Sequence, residues 1–559
     1  MSAGDLAGAE HVGAPPWLRR MGPLLLIGIM AVGLELRITG FTSTDLWFDD
    51  AWAALPSTVP LKVAVKMVAT NPGWVLATRS WIGLHPGVSW WAQVPAFVLG
   101  LVGIVTVFAL LRALRTWWPL PYLGALVIAV SPVAATYSTR VKEYSADLVL
   151  ACLLLWLAER WRRAPTTRNG VALGFAAAAA MFISASQVVV VAGAMALCGW
   201  TALASPARRR SAAIAIVVPA VCGLAEYELW LGHLTRASLD HGWTTRGNLA
   251  NYASLHQLAF SIQQMGAGLV HGFVALPTGL VEGETYLRYP GLAVAVGVFA
   301  ILAVLTLPPL LSAIRAPRAV PGPSFVAAVS IIVALALAFA RVAPFGGGRI
   351  DEVLYPSLLV LAALAFTARV ERRRVRAPKR RWAELLAALV VAGCAVIGLT
   401  NHAAYPTLDL RSVASAIGAG RTSVPIVVDS WNSFAWGLYQ PTPTAVSFER
   451  TWFPWSQGFH IVSHDPKVLI SRQYFYADAP IRELHQVASA TWWVGVEVGA
   501  TSTVTQPANA IVDSRVLQAL LREGWRRTPV ERTSVHAVAL LLAYAPNTPP
   551  TAVVAAPPH

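Results

Sequence analysis

Residues 89–111 read SWWAQVPAFVLGLVGIVTVFALL, a run without one charged side chain. A helix of this length covers the hydrocarbon layer of a lipid bilayer, which is about 30 Å thick. Ten further apolar runs of similar length occur at 21–40, 119–136, 145–160, 170–185, 187–204, 211–231, 291–312, 324–342, 353–369 and 383–400. The pattern predicts a polytopic α-helical membrane protein with about eleven transmembrane helices.

The composition agrees with a membrane protein. Of the 559 residues, 56% are hydrophobic and only 13% are charged, so the bilayer rather than a soluble core is the expected solvent. The net charge of +15 does not indicate nucleic-acid binding, because the basic residues punctuate the apolar runs and form no basic stripe. The four cysteines all lie inside apolar runs, and their spacing indicates neither a metal site nor a nucleophile.

Clusters of arginine indicate the orientation of the chain. They occur at 19–20, 112–115, 160–168, 208–210, 315–318 and 369–381. Counting the predicted spans places all of them on one side, which the positive-inside rule identifies as the cytoplasm of a plasma-membrane protein. We therefore predict a cytoplasmic N-terminus at 1–20, a membrane domain at 21–400 and an extracytoplasmic C-terminus. Segments 41–88, 137–144, 232–290 and 341–352 are predicted outer segments.

The C-terminal part changes character. Short runs typical of β-strands, separated by helix-like pieces such as 514–525, predict a soluble α/β domain at 401–545. Those runs are 424–428, 460–463, 492–498 and 536–544. The end at 546–559, rich in proline and alanine, is predicted to be disordered. Within the long outer loop, the amphipathic stretch 255–276 is expected to lie on the membrane or to re-enter it.

The first outer segment contains an acidic pair, in the sequence LWFDDA at 46–51. Mutual repulsion and desolvation of Asp49 and Asp50 next to lipid favour the uptake of a proton, which suits a general base. An alternative interpretation is that the two carboxylates cap a helix that begins at Ala51.

A second outer segment, YSTRVKEYSAD at 137–147, contains two cations. Arg140 and Lys142 stand where short outer loops are poor in basic residues, and an anionic phosphate ligand would explain them. The alternative is a local ion pair with Glu143 or Asp147.

A third segment, PFGGGRIDE at 344–352, precedes a predicted span. Its glycines allow the backbone to approach a ligand closely, and Arg349 adds a further cation. The alternative is a flexible hairpin in which Arg349 pairs with Asp351.

Together these segments resemble the polytopic glycosyltransferases of the GT-C type, over residues 20–400. The resemblance is to the family-39-related group that includes protein O-mannosyltransferases, aminoarabinose transferases and envelope mannosyl- and arabinosyltransferases. That family carries an acidic pair in the context Leu-Trp-Tyr-Asp-Glu-Ala, and its first acid, matched here by Asp49, is assigned as the catalytic base. A signature Tyr-Ser-x-x-x-Arg/Lys-x-Tyr matches 137–144 and implies that Lys142 contacts the lipid phosphate. This sequence has Arg140 where many members carry glutamate.

The resemblance implies inverting transfer of a sugar from a polyprenyl-phosphate donor to an envelope glycolipid or polysaccharide. Mannose is the favoured sugar and arabinose the alternative. Asp49 would remove the proton of the acceptor hydroxyl, while Asp50 would orient the acceptor, tune Asp49 or help to hold a divalent cation. The residues implied to hold the donor phosphate are Arg140, Lys142, Tyr144 and Arg349, and those implied to contact substrate are Tyr137 and Asp351.

Two other classes of function fit parts of the sequence. A transporter or flippase of lipid-linked sugars usually has ionisable groups near the bilayer midplane and repeated halves. Here the predicted spans are nearly free of charge except near their outer ends, and no halves repeat, which favours the enzyme. The charged exceptions are Glu35, Arg37, Glu226 and Glu228. A noncatalytic assembly protein that binds a partner through its tail is the third interpretation.

Overall fold

The computed structural model describes sixteen parts of the chain. They are residues 16–43, 46, 48–64, 71–229, 247–273, 289–316, 319–346, 349–376, 426–428, 438, 446–450, 459–463, 468–470, 493–499, 525–528 and 537–544. Statements about structure below concern these residues.

Helices form most of the described chain up to residue 376. They are α1 Pro16–Ser43, α2 Phe48–Ala54, α3 Leu61–Ala64, α4 Pro72–Ile82, α5 Ser89–Ala113, α6 Leu120–Val130, α7 Pro132–Tyr137, α8 Tyr144–Arg163, α9 Thr167–Ile183, α10 Val188–Ala204, α11 Arg209–Leu229, α12 Leu255–His271, α13 Tyr289–Arg315, α14 Pro323–Phe339 and α15 Tyr355–Arg376. Short 3₁₀ turns occur at Leu55–Ser57, Ala185–Gln187, Pro206–Arg208 and Arg349–Leu354.

Six helical segments in the described part of the chain are long and apolar enough to cross a membrane. They are Met21–Ile38, Ser89–Ala113, Ala185–Ala204, Pro206–Glu228, Gly291–Arg315 and Asp351–Glu371. The helices α6, α9 and α14 are apolar but shorter. The structure thus has the helices of a polytopic membrane protein, while the count of eleven spans stays a prediction. The predicted span 383–400 lies outside the described residues.

The predicted span 119–136 is not one helix, which corrects the prediction. It is divided into α6 and α7 at Ser131. Proline at position 132 has no N–H group to continue the hydrogen bonds of α6, and it suits the first turn of a new helix. Ser131 caps that new helix, because its Oγ accepts a hydrogen bond from the N–H of Ala134 at 3.1 Å.

Residues 255–271 of the amphipathic stretch 255–276 form helix α12. Its expected position on the membrane or re-entering it stays a prediction. The helix packs on α13, and its buried face includes Phe260 and Met265. Gly268 of this helix touches the loop ahead of α15, where Gly346 has a φ of +74°. A Cβ atom at Gly268 would clash with the carbonyl group of Gly346, so both glycines are required by this close approach.

Small residues also bring membrane helices together. At Gly174 of α9, a Cβ atom would lie 3.0 Å from the carbonyl oxygen of Ile214 in α11. Gly170 is similarly close to Ser211. Backbone contact of this kind is typical of packing between membrane helices, since lipid supplies no hydrophobic driving force for association.

The chain forms two compact units. We call Met1–Thr39, Ala96–Thr139 and Glu143–His402 the core unit. The loop-and-tail unit comprises Gly40–Pro95, Arg140–Lys142 and Ala403–His559. In the loop-and-tail unit, Gly87 has a φ of +80°. The carbonyl oxygen of Leu438 lies close to this glycine, so residue 438 of the tail contacts the first outer segment.

Seven described strands lie in the tail. They are β1 Ile426–Val428, β2 Val446–Arg450, β3 Phe459–Ser463, β4 Val468–Ile470, β5 Trp493–Gly499, β6 Trp525–Thr528 and β7 Ala537–Tyr544. One sheet has the order β4-β1-β5-β7-β6, and β2 pairs with β3. All four predicted β-runs are confirmed, whereas β2, β4 and β6 were missed.

The five-stranded sheet is mixed. Strand β1 runs parallel to β4 and β5, while β7 runs antiparallel to β5 and β6. Parallel neighbours need crossover connections of a dozen or more residues. Apart from the described strands and Leu438, those connections lie outside the described residues, as does the end 546–559. Of the predicted helix-like piece 514–525, Trp525 begins strand β6 and the rest lies outside the described residues. The α/β class of the tail stays a prediction.

Candidate active site

The acidic pair lies in the first turn of helix α2, in the loop-and-tail unit. This helix begins at Phe48 and not at Ala51, so the capping interpretation is wrong in its original form. Carboxylates in a first turn still interact favourably with the positive end of the helix dipole. Asp49 occupies the second position of the helix, and its side chain lies outside the described residues. Its assignment as catalytic base stays a prediction.

Asp50 is buried, with 1% of its surface exposed, and both of its carboxylate oxygens accept hydrogen bonds. Arg140 Nη1 donates to Oδ2 at 2.9 Å, and the backbone N–H of Val141 donates to Oδ1 at 2.9 Å. Arg140 is therefore paired with Asp50, a residue far away in the sequence. The alternative of a local ion pair with Glu143 or Asp147 stays untested. Two motifs ninety residues apart are joined by this ion pair.

The short segment 140–142 has no helical hydrogen bonds of its own and is held by side chains. The carbonyl oxygen of Val141 accepts a hydrogen bond from Trp74 Nε1 at 2.7 Å. Both backbone polar groups of Val141 are thus satisfied, one by Asp50 and one by Trp74 of α4. A buried backbone segment needs such partners to be stable, and they keep its neighbours Arg140 and Lys142 in defined positions.

Lys142 lies against an aromatic ring. Its Nζ atom is 5.6 Å from the centroid of the Trp52 ring, and 9% of the residue is exposed. A cation over an indole face is stabilised by the ring quadrupole. Trp52 follows Asp50 by two positions in α2, so one short helix supplies partners for both predicted cations.

The two tyrosines of the second motif lie in the core unit and contact each other. Tyr137 ends α7 and Tyr144 begins α8, and their ring centroids are 5.2 Å apart with an interplanar angle of 75°. This edge-to-face geometry is a favourable aromatic arrangement. The contact brings the two ends of the segment 138–143 close together. The predicted donor-binding motif is therefore a loop whose ends are held by two tyrosine rings.

The glycine-rich segment is shaped by Asp351. This carboxylate is 1% exposed and accepts a hydrogen bond from the backbone N–H of Gly346 at 3.0 Å. Arg349 begins the 3₁₀ turn that leads into α15. Its side chain lies outside the described residues, so both its predicted contact with phosphate and the alternative pairing with Asp351 stay untested. The observed bond gives Asp351 a role in closing the loop.

The sequence analysis missed a polar cluster inside the core unit. Asp147 accepts hydrogen bonds from Ser186 Oγ at 2.7 Å and from Gln187 Nε2 at 2.9 Å. Glu352 is 1% exposed, and neither of its carboxylate oxygens has a hydrogen-bond partner among the described residues. An acid inside an apolar run, followed some forty residues later by the adjacent pair Ser186-Gln187 between two runs, was the available signal.

No group of three or more histidine, cysteine, aspartate or glutamate side chains in the described residues has the geometry of a metal site. Asp50 already accepts hydrogen bonds on both oxygens, and the side chain of Asp49 lies outside the described residues. A divalent cation at this pair therefore stays an untested prediction.

Comparison with known proteins gives matches only among solved structures. No model of a protein family matches, and no curated protein sequence matches. The chain is similar to ArnT from Cupriavidus metallidurans bound to undecaprenyl phosphate, at 12% identity and a TM-score of 0.48, over 94% of this chain and 100% of that one. It is also similar to the oligosaccharyltransferase of Archaeoglobus fulgidus in complex with Zn and sulfate, at 14% identity and a TM-score of 0.43, over 74% and 61% of the two chains.

A further similar structure is AglB of Archaeoglobus fulgidus with an inhibitory peptide and a dolichol-phosphate, at 12% identity and a TM-score of 0.42, over 76% of this chain and 64% of that one. These identities and TM-scores assign neither an activity nor a substrate to this chain.

Proposed function

We propose that this chain is an inverting glycosyltransferase that acts at the outer face of the plasma membrane. It moves a sugar, with mannose favoured over arabinose, from a polyprenyl-phosphate donor to an envelope glycolipid or polysaccharide. The observation that carries the proposal is the bonding of Asp50 to Arg140 and Val141. It joins the acidic motif and the cationic motif, the two elements that such a transfer needs: a base for the acceptor and positive charge for the leaving phosphate.

Asp49 acts as the base in this mechanism. Because Asp50 is engaged with Arg140 and Val141, we assign proton removal to its neighbour, as the family resemblance implies. The acceptor hydroxyl loses its proton to Asp49, and its oxygen attacks the anomeric carbon. The bond between that carbon and the phosphate oxygen breaks on the opposite face, and the lipid phosphate leaves with the electron pair. A single displacement inverts the configuration, so no second carboxylate is required as a nucleophile.

Lys142 provides the positive charge for the departing phosphate, assisted by Arg349 and by the hydroxyl of Tyr144. Its ammonium group is held beside Trp52. Arg140 contributes by holding Asp50 and the segment around Val141 in place rather than by direct contact with phosphate. Tyr137 and Asp351 line the path of the substrate in this proposal.

A transporter of lipid-linked sugars is the second candidate, and one observation favours it. The core unit contains buried ionisable side chains in or directly beside the predicted spans, among them Arg37, Asp147 and Glu352. Buried charges in membrane segments often mark a transport pathway. All three residues lie close to predicted outer ends of helices rather than at the bilayer midplane, which agrees better with the enzyme.

Sugar transfer by the purified protein in lipid vesicles tests the proposal. Labelled polyprenyl-phosphate mannose and polyprenyl-phosphate arabinose are supplied in parallel, with Asp49→Asn as the test variant and Glu35→Gln, an exposed acid of α1, as the matched control. Loss of a general base lowers turnover by about 10² to 10⁴-fold. We expect this loss in Asp49→Asn and wild-type turnover in Glu35→Gln.

The result can contradict the proposal in two ways. Wild-type turnover in a folded Asp49→Asn variant would remove Asp49 from the mechanism. Movement of the labelled lipid across the vesicle membrane without release of lipid phosphate would favour the transporter.

A further inference from the structure

Arg37 lies in the membrane helix α1 and is completely buried. The segment around it, Met21–Ile38, is apolar and long enough to cross a membrane. A guanidinium group in such a segment is costly, so it persists only where it has partners. The structure shows three of them: Arg37 Nη1 donates to the carbonyl oxygens of Gly33 and Ala129, each at 2.9 Å, and Nη2 donates to that of Ile128 at 3.1 Å.

Two of these carbonyl groups belong to the break between α6 and α7. In a continuous helix, the carbonyl oxygen of Ile128 would accept a hydrogen bond from the N–H of residue 132, four positions later. Position 132 is proline, which has no N–H. Arg37 Nη2 supplies a donor for the carbonyl group of Ile128 in place of the N–H that proline lacks, and Nη1 supplies one for Ala129 at the same break. Hydrogen bonds from a charged guanidinium group are strong.

The break leads directly into the second motif. Helix α7 starts at Pro132 and ends at Tyr137, and the residues that follow it along the chain are those to which the proposed function assigns the donor phosphate. Ser131 adds a second restraint, since its Oγ donates to the carbonyl oxygen of Gly272 at 2.5 Å. The direction in which α7 leaves the break therefore decides where the motif begins.

Arg37 also interacts electrostatically with Glu352, at the start of the last described membrane segment. The charged groups acting on Glu352 are Asp147 of α8 and Arg37 of α1. Asp351 lies beside it in the same 3₁₀ turn and closes the glycine-rich loop. Removing Arg37 would take away a positive charge that acts on Glu352 in the direction opposite to Asp147.

We propose that Arg37 is a positioning residue for the sugar transfer. It does not touch substrate; it holds the α6–α7 break in shape, and through α7 it places the segment 137–144. The inference rests on the proposed function, because it is that function which gives the segment its role. The hydrogen bonds of Arg37 to the carbonyl oxygens at the α6–α7 break do not depend on any substrate.

The first experiment compares Arg37→Met, Arg37→Lys and the control Glu35→Gln in lipid vesicles. Donor concentration is varied, so that kcat and the KM for polyprenyl-phosphate sugar are separated. A misplacement of about 1 Å in a positioned group can cost about 10²-fold in rate. We expect a fall of that size in kcat/KM for Arg37→Met, partial rescue in Arg37→Lys, which keeps the charge but loses the planar fork, and no change in the control.

The second measurement is backbone hydrogen–deuterium exchange. In Arg37→Met, exchange at 131–144 should rise, whereas exchange in α9 and α11 should stay as in the wild type. This readout needs no sugar transfer. If the wild-type protein transfers no sugar, the proposed function fails while the exchange data still decide whether Arg37 holds the break.

Pro132→Ala provides a second variant in case Arg37→Met does not fold. It returns an N–H group to position 132 and removes no buried charge, so α6 can continue into α7. We expect altered exchange at 131–144 and a reduced kcat/KM. Wild-type exchange and wild-type kcat/KM in a folded Arg37→Met variant, or in Pro132→Ala, would overturn the proposal.

Discussion

Two buried aspartates, one in each unit, are stabilised by different means. Asp50 and Asp147 are both 1% exposed. Asp50 is bonded to the guanidinium group of Arg140 and to a backbone N–H. Asp147 is bonded to the neutral side chains of Ser186 and Gln187. In the first case a charge compensates a charge, and in the second neutral dipoles solvate the carboxyl group.

The stability of the two sites is therefore expected to depend differently on the loss of one partner. An ion pair that loses one member leaves the other as an uncompensated buried charge, which is strongly destabilising. A carboxyl group held by neutral donors leaves only unsatisfied polar groups when it is removed, at lower cost. The loop-and-tail unit is therefore expected to be more sensitive to single substitutions at its motif than the core unit is at its polar cluster.

The largest expected effect is that of Asp50→Ala. It removes the buried carboxylate to which Arg140 and the N–H of Val141 donate, and the free energy of unfolding should fall by about 3–5 kcal/mol. Denaturant unfolding in detergent, followed by tryptophan fluorescence, measures the change. The double variant Asp50→Ala with Arg140→Met should recover most of the loss, because it removes both charges. A loss of less than about 1 kcal/mol in the single variant would show that the pair is not coupled to stability.

A smaller effect is expected at Asp147. The change Asp147→Ala removes the carboxylate to which Ser186 and Gln187 donate and should cost about 1–3 kcal/mol. Gln187 Nε2 keeps its hydrogen bond to the backbone carbonyl oxygen of residue 147. Asp147→Asn retains an acceptor for Gln187, and Ser186 can accept as well as donate, so we expect a loss of no more than about 1 kcal/mol. The same unfolding assay applies. If Asp147→Asn were as costly as Asp50→Ala, the negative charge itself would be what this site requires.

The smallest expected effect is that of Trp52→Leu. It removes the aromatic face beside Lys142 while both members of the Asp50–Arg140 pair remain. A cation–π contact contributes about 0.5–2 kcal/mol, depending on its exposure. Trp90→Leu, at an exposed tryptophan of the same unit, is the matched control and should change stability less. Equal effects in the two variants would mean that the contact with Lys142 contributes nothing of its own.

The local features of this protein were largely predictable. Apolar length and composition predicted the membrane helices, and the alternation of β-type residues predicted four of the seven described strands. The missed strands β2, β4 and β6 are short or carry charged residues, as in Trp525–Thr528, and are formed by pairing with neighbours. The break in the predicted span 119–136 was not predicted, although Pro132 was an available signal, since proline interrupts a helix.

Pairing over long distances was not predictable. Nothing local distinguishes Asp50 from Asp49 as the partner of a cation, and the expected partners of Arg140 were simply the nearest acids along the chain. The burial of Arg37 and Glu352 was missed for the same reason, because burial depends on which helices pack around a residue.

The sequence by itself determined the membrane class, the positions of most described helices, and the residue types that a sugar transfer from a lipid phosphate needs. These properties follow from local hydrophobicity, charge and backbone stereochemistry. Only the tertiary structure decided that Asp50 holds Arg140, that Asp147 is solvated by Ser186 and Gln187, and that Arg37 supplies donors to the α6–α7 break. The reason is physical: a buried polar group takes its partner from whichever element packs beside it, and that neighbour is separated from it by tens of residues of chain.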